Sequence, residues 1–561
     1  KIVIDMRRMG GGFGGKETQA AGPACLCAVI AHLTGRPTKM RLPRMEDMSM
    51  TGKRHPFYVE YDVGFDDDGL LHGIEMDLAG NCGYSPDLSG SIVDRAMFHS
   101  DNAYFLGNAT INGHRCKTNL ASNTAYRGFG GPQGMVAIEE IMDAVARELG
   151  KDPLEVRKRN YYGKTERNVT HYHQTVEHNV IHEMTAELEA SCEYAKRREE
   201  IRAFNARSPV LKKGLAMTPV KFGISFTATF LNQAGALIHI YTDGSIHLNH
   251  GGTEMGQGLN TKVAQVVAEV FQVDIERIQI TATNTDKVPN TSPTAASSGA
   301  DLNGMAAKNA AETIKQRLVD FLVRDYKVTP EDIEFRNGQV RVRDHFLSFE
   351  EMIQKAYFGQ VSLSSTGFYR TPKIYYDRDK AAGRPFYYYA YGVACVEVLV
   401  DTLTGEYRML RGDILHDVGD SLNPAIDIGQ VEGAFVQGMG WLTCEELVWN
   451  AKGKLMTNGP ASYKIPAIAD MPIDLRVKLV ENRKNPEDTV FHSKAVGEPP
   501  FMLGIAAWCA LKDAVASLAD YQVQPQIDAP ATPERVLWGV EQMRKLKAQA
   551  KAASTAEAEP A

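Results

Sequence analysis

The sequence predicts a mixed α+β fold in more than one domain, on its length, its β-hairpin patterns and the helical runs that follow its glycine loops. At 561 residues the chain exceeds what one hydrophobic core organises, and roughly two to four domains are expected. Two pairs of apolar runs meet at turn signals, ALIHIYTDGSIHLNH at 236–250 and VACVEVLVDTLTGEYRML at 393–410, and read as antiparallel hairpins. Helical periodicity follows loops at 259–272, 304–322 and 501–519. Strands and helices do not alternate as a βαβ series, so the class is α+β.

In chain order, the polypeptide opens at Lys1 in a strand-like run, Ile2-Val3-Ile4, with neither initiator methionine nor signal peptide, and reads as part of a longer polypeptide. Residues 1–165 alternate short β-rich and helical runs around the loops GGGFGGKE (10–17) and RGFGGPQG (127–134), and are expected to form a first domain. A polar, glycine-free run in 166–213 (EMTAELEASCEYAKRREEIRAF) predicts a connecting helical segment. A second domain is expected over 214–543. Residues 544–561, mostly Lys, Ala and Glu, carry no core-forming pattern and predict a frayed helix or disordered tail.

Composition narrows the function classes. Apolar residues make up 43% and charged residues 23%, as in ordinary globular proteins. A net charge of -7 leaves no basic excess to neutralise phosphates, which argues against nucleic acid. The longest apolar run, Phe501 to Leu511, stops well short of the roughly 18 residues a membrane span requires. The eight cysteines are scattered without a CxxC pair, which suits reduced, buried thiols in a cytoplasmic protein better than zinc or an iron–sulfur cluster.

Five glycine loops carry Gln, Glu or Arg: GGGFGGKE, RGFGGPQG, GGTEMGQGL (251–259), VEGAFVQGMG (431–440) and KAVGEPP (494–500). Glycine lets backbone amides approach a bound group, and several such loops suit a large anionic cofactor. Gly10, Gly15 and Lys16 satisfy part of a phosphate-binding loop, but Glu17 stands where a Ser or Thr hydroxyl would hold magnesium, and its charge repels phosphate. Glu498 precedes Pro499-Pro500 and a helical run, which places its carboxylate near a positive helix end as either a cap or a base. His171, His173, His178 and His182 lie in a polar run without HExxH order and read as solvated.

Read together, GGGFGGKET, RHPF, DRAMFH, KTNLASNTAYRGFGGPQGM, KFGISF, FLNQAGALIH, GGTEMGQGL, VPNTSPTAAS, GFYRTP, DVGDSLNPAIDIGQVEGAFVQG and SKAVGEPP resemble the molybdenum domains of the xanthine oxidoreductase family. They keep the family's order from residue 10 to about 512. The resemblance implies two elongated mixed molybdenum-cofactor-binding domains with the active site at their interface. It implies a molybdenum-molybdopterin cofactor in its sulfido form, held through the pterin dithiolene with no direct protein ligand. Glu498 then resembles the general base that activates a water-derived oxygen for attack on an electron-poor ring carbon. Gly12, Phe13 and Gly14, with Arg127, Gln257 and Gln437, resemble the groups that hold the oxo ligand and the pterin. Ala295, Ala296 and Ser297 match the loop beside them.

Phe129 and Phe226 match the two aromatic residues that position a flat heterocycle, one by stacking and one by its edge, and Thr227 adds a hydroxyl. Glu17 and Arg95 match the charged pair of the xanthine-type members, where related aldehyde oxidases carry uncharged residues. A guanidinium stabilises negative charge growing on a purine oxygen, and Glu17 suits hydrogen bonds to the ring nitrogens. The implied activity is hydroxylation of hypoxanthine and xanthine to urate, with electrons leaving through [2Fe-2S] and FAD on companion chains or an absent segment to NAD, in a dimer of heteromers. An aldehyde or N-heterocycle hydroxylase is the alternative within the group, and a catalytically silent assembly or cofactor-storage subunit the alternative outside it. Two departures stand out: the family's upstream oxo-contacting glutamine lies outside this chain, and Gly299 replaces a pterin-bonding serine.

Overall fold

In the computed structural model, which describes residues 2–6 and 8–557, the N-terminal strand lies slightly later than Ile2–Ile4. Asp5–Met6 pairs antiparallel with Thr283–Asn284. Helix α1 (Ala21–Thr34) follows and buries none of its side chains. Strands β1 (Phe57–Phe65) and β2 (Leu71–Gly83) then form a hairpin, closed where the Asp66 carboxylate accepts from the Asp68 and Leu70 amides. Ile74, Met76 and Leu78 alternate inward from β2. Helix α2 (Ser89–His99) crosses to β3 (Ala109–Lys117), which lies parallel to β2. Helix α3 (Gly131–Glu148) packs beside α2, at a distance set by Gly134, whose added Cβ would stand 2.2 Å from the Ala96 carbonyl oxygen.

The connecting segment is two helices, α4 (Ile181–Ser191) and α5 (Tyr194–Arg207), and not one. Glu193 breaks the run at φ 55°. Beyond the break, Arg197 pairs with Glu397 and Asp413 at 2.9 Å each, and Arg198 with Asp513 at 2.5 Å. Charge from this polar run is thus buried between elements.

Strand β4 (Leu211–Ile224) begins a sheet that is completed far downstream. Between lies a separate layer. Strands β5 (Gln233–Ile240) and β6 (Ile246–His250) form the expected hairpin, β7 (Ile278–Ile280) adds in parallel, and β8 (Ser364–Arg370) pairs with β5. Helices α6 (Leu259–Phe271) and α7 (Gly299–Tyr326) cover this sheet with a core of their own.

The second hairpin, β9 (Tyr388–Asp401) with β10 (Tyr407–His416), also forms as expected. β9 pairs with β4, and β11 (Asp474–Leu479) completes the order β11-β10-β9-β4. Helices α8 (Pro424–Thr443) and α9 (Ile505–Ala516) share one core with this sheet. β9 is buried on both faces, and its side chains divide by parity. Ala394, Val396, Val398 and Val400 enter the core with α9, while Tyr389, Tyr391, Val393 and Cys395 enter the core of the first region. The first region and the later sheet therefore share a core, and 214–543 contains a second core besides.

The helical run Pro499–Ala519 is long and apolar enough to cross a membrane by composition, but 89% of that window is buried inside the fold. Lys512 and Asp513, which interrupt it, are paired with Glu140 and with Arg147 and Arg198. Helix α10 (Pro533–Glu557) ends the described chain. It anchors through buried Val536, Val540 and Met543 and continues helical through much of the expected tail, while 558–561 lie outside the described residues.

Candidate active site

Four loops close around one cavity of about 1930 Å3, above the roughly 300–1,000 Å3 usual for a small-molecule pocket. Three of them are shaped by residues in left-handed backbone. In the first, Gly11, Phe13 and Gly14 have φ of 90°, 51° and 97°. The loop is wedged in place, since an added Cβ on Gly12 would stand 2.5 Å from Met255 Sδ and one on Gly14 2.9 Å from the Ala125 carbonyl carbon. In the second, Gly128, Phe129 and Gly130 are left-handed in succession (99°, 52°, 97°) just before α3. In the third, Ala296 and Ser297 both have φ 56° before α7. Phe13, Phe129, Ala296 and Ser297 all line the cavity. Non-glycine residues held in this region cost about 1–3 kcal/mol each and cluster at functional sites.

The fourth loop carries Glu498. Its side chain does not cap the 3-10 turn Pro499–Gly504 that follows. The carboxylate turns toward the second and third loops instead. Oε1 accepts from the Gly128 amide at 2.9 Å and Oε2 from Ser297 Oγ at 2.9 Å, while the Glu498 amide donates back to Ser297 Oγ at 2.8 Å. Three guanidinium groups, Arg54, Arg95 and Arg127, stand within electrostatic reach of it.

Arg127 ties the segments together. It donates to the Gly497 carbonyl, to Gln437 Oε1 at 3.2 Å and to Gln430 Oε1 at 3.2 Å. Gln437 also donates to Tyr126 Oη at 2.8 Å. Gln257 lines the cavity, but its side chain is engaged with its own loop, accepting from the Met255 amide at 2.6 Å and donating to the Thr253 carbonyl at 3.0 Å.

Glu17 lines the same cavity. Burial first, then repulsion from Glu498 and Asp87, pushes its carboxyl up to about 8, so it is largely a neutral acid at pH 7, with a proton available for a hydrogen bond to an acceptor. Arg95 stands behind the wall and not on it. It is 2% exposed, its terminal nitrogens donate to the carbonyls of Gly223 and Ser225 at the end of β4, and its guanidinium lies between the Phe222 and Phe386 rings. Phe226 and Thr227 are half-buried and do not line the cavity. The Phe226 backbone is pinned by the Asn232 amide instead.

Among the described residues, no group of three His, Cys, Asp or Glu side chains is placed to hold a metal ion. The donors at the cavity are amides, hydroxyls, guanidinium and ammonium groups. A family model described as a molybdopterin cofactor-binding domain matches residues 187–472, and a second with that description matches residues 1–161. The chain belongs to the molybdopterin cofactor-binding family.

Similarity to complete proteins extends over nearly the whole chain. Xanthine dehydrogenase/oxidase of Mus musculus is 48% identical over 542 residues, 96% of this chain and 39% of that protein. Xanthine dehydrogenase 1 of Arabidopsis thaliana is 45% identical over 550 residues, 96% of this chain and 38% of that protein. The chain therefore spans about two fifths of the length of these curated relatives. Among solved structures, quinoline 2-oxidoreductase from Pseudomonas putida 86 shares the fold, with a TM-score of 0.83 at 23% identity over 96% of this chain and 69% of that one.

The residues present fit a molybdopterin. Gly12 and Gly14 bring backbone to the cavity wall, and Arg127, Gln437 and Ser297 line it with guanidinium, amide and hydroxyl groups suited to oxo, amide and ring-nitrogen acceptors. The histidine run lies elsewhere, with His171 and His182 each bonded to a backbone carbonyl. Arg54 and Gln430 escaped the sequence reading, although RHPF and DIGQVEG both lie within the strings that carry the resemblance. The signal was present, but neither residue sits in a glycine loop.

Proposed function

We propose that this chain is the catalytic portion of a molybdenum hydroxylase of the xanthine dehydrogenase type, which hydroxylates hypoxanthine and xanthine to urate with oxygen from water. The observation that carries this reading is the convergence of two carboxyl groups in unlike surroundings on one cavity: Glu498, held by two donors, and Glu17, raised to about 8. Two carboxyl groups in surroundings this different divide base and acid roles between them.

The cofactor supplies the two-electron redox chemistry and the metal at which water is activated. The chain supplies proton handling and placement. Glu498 takes the proton from the attacking water-derived oxygen, while the Gly128 amide and Ser297 hydroxyl keep its carboxylate aimed. Glu17, as a neutral acid, donates to an acceptor on the purine ring. Phe129 offers a ring to the heterocycle. Arg95 supplies positive potential where negative charge grows on the purine oxygen; direct contact requires it to leave the carbonyls of Gly223 and Ser225. In this reading electrons leave through [2Fe-2S] and FAD, on a companion polypeptide or on a segment beyond this chain, to NAD, and the working unit is a dimer of heteromers in the cytoplasm that binds neither nucleic acid nor membrane.

An aldehyde or N-heterocycle hydroxylase is the second reading, and the charged pair separates the two. In the intact molybdenum-loaded complex, replacing Glu17 with Gln and Arg95 with Met is expected to lower kcat/KM for xanthine about 100-fold more than for an aromatic aldehyde. Equal losses on both substrates contradict the purine assignment. Turnover of wild-type complex on xanthine and hypoxanthine, with molybdenum analysis, separates both readings from a silent storage subunit.

A further inference from the structure

A charged side chain outside the proposed catalytic set sits where the site-bearing segments meet. Arg54 is buried, 9% exposed, and its guanidinium carbon lies 4.3 Å from the Tyr126 ring centroid, 4.5 Å from that of Phe501 and 4.8 Å from that of Trp441. Nη2 donates to the Arg127 carbonyl at 2.9 Å. Nε and Nη1 have no hydrogen-bond partner among the described residues. Buried guanidinium groups ordinarily sit on carboxylates; here aromatic rings surround the cation.

Each ring belongs to a segment that carries a site residue. Tyr126 precedes Arg127. Trp441 lies one helical turn beyond Gln437 on α8, so both point from the same face. Phe501 follows Glu498 in the turn Pro499–Gly504, and its ring stands 5.7 Å from that of Trp441. The Gly128 amide that holds Glu498 Oε1 belongs to the same peptide unit as the Arg127 carbonyl that Arg54 grips.

We propose that Arg54 is a positioning residue, a caged cation that clamps the segments bearing Arg127, Gln437 and Glu498 and thereby aims the Glu498 carboxylate. The inference rests on the reading of Glu498 as the base. Burial lowers the Arg54 guanidinium to about 10, with Tyr126, Glu445, Tyr463 and Glu498 opposing that shift, so it remains charged across the working pH range and adds positive potential near the carboxylate. Met fills its volume without charge, and Lys keeps the charge without the planar face.

The test uses the intact holoenzyme with its companion chains, comparing Arg54→Met, Arg54→Lys and Glu498→Gln with wild type. For Arg54→Met we expect unchanged molybdenum per chain, kcat lowered about 10- to 100-fold with KM changed less than about threefold, and the acid limb of the rate profile moved to higher pH. Its crystal structure should show the Gly128 amide drawn away from Glu498 Oε1. Arg54→Lys should lose rate but keep the wild-type acid limb. The proposal is overturned if Arg54→Met retains the wild-type rate and profile, or if its losses follow molybdenum content and melting midpoint alone while the limb and the Gly128–Glu498 contact stay in place. Intact turnover in Glu498→Gln instead sinks the base assignment, whatever Arg54→Met does.

Discussion

Glu17 and Glu498 share a cavity, but their surroundings differ. Glu498 meets two donors, whereas Glu17 meets burial and two neighbouring carboxylates. Because the folded state raises the Glu17 carboxyl from 4.5 to about 8, its protonated form is the one the fold favours. The stability it permits is complete below pH 4.5 and is lost as pH rises through about 8. Glu17→Gln should therefore melt with wild type at pH 5 and above it at pH 9, as thermal midpoints across that range will report; parallel curves contradict the shift. The identity of both acids was legible in the sequence strings. Their environments were not: Pro499-Pro500 suggested a helix cap for Glu498, and only the fold reveals that the carboxylate turns to Gly128 and Ser297. Arg95 was legible as a charge, but its burial behind Gly223 and Ser225 depends on where β4 ends.

At the scale of elements, the loop before α3 sets the wall against which Glu498 is held. Gly130 combines φ 97° with a Cβ position 2.0 Å from the Ile92 carbonyl oxygen, so Gly130→Ala should destabilise the protein by at least about 2 kcal/mol. Gly10, with nothing within 4 Å of its Cβ position, is the control, and Gly10→Ala should stay within about 0.5 kcal/mol of wild type. Similar denaturant midpoints for the two variants would contradict the packing account. Both hairpins and the helices after the glycine loops were legible because their periods are local. The break at Glu193 was not, because α4 and α5 part in order to bring Arg197 and Arg198 to acids on β9, β10 and α9, and a tertiary demand of that kind leaves no mark on local propensity.

At the scale of the molecule, β9 explains why the domain plan was hard to read. Its alternating residues feed two cores, and its partner β4 pairs Ile224 with Tyr388, a contact made across a whole inserted layer. Sequence periodicity shows that such a strand is buried but not what lies on either side. The same topology makes the cavity a property of the entire fold, since its loops come from the first region, the inserted layer and the final sheet. The central claim is that these segments converge on a molybdopterin and leave Glu498 as the base. The most direct test is kcat/KM for xanthine in intact complex carrying Glu498→Gln, with molybdenum counted per chain. The account predicts wild-type molybdenum content and a loss of at least about 100-fold; undiminished turnover at full molybdenum content would contradict it.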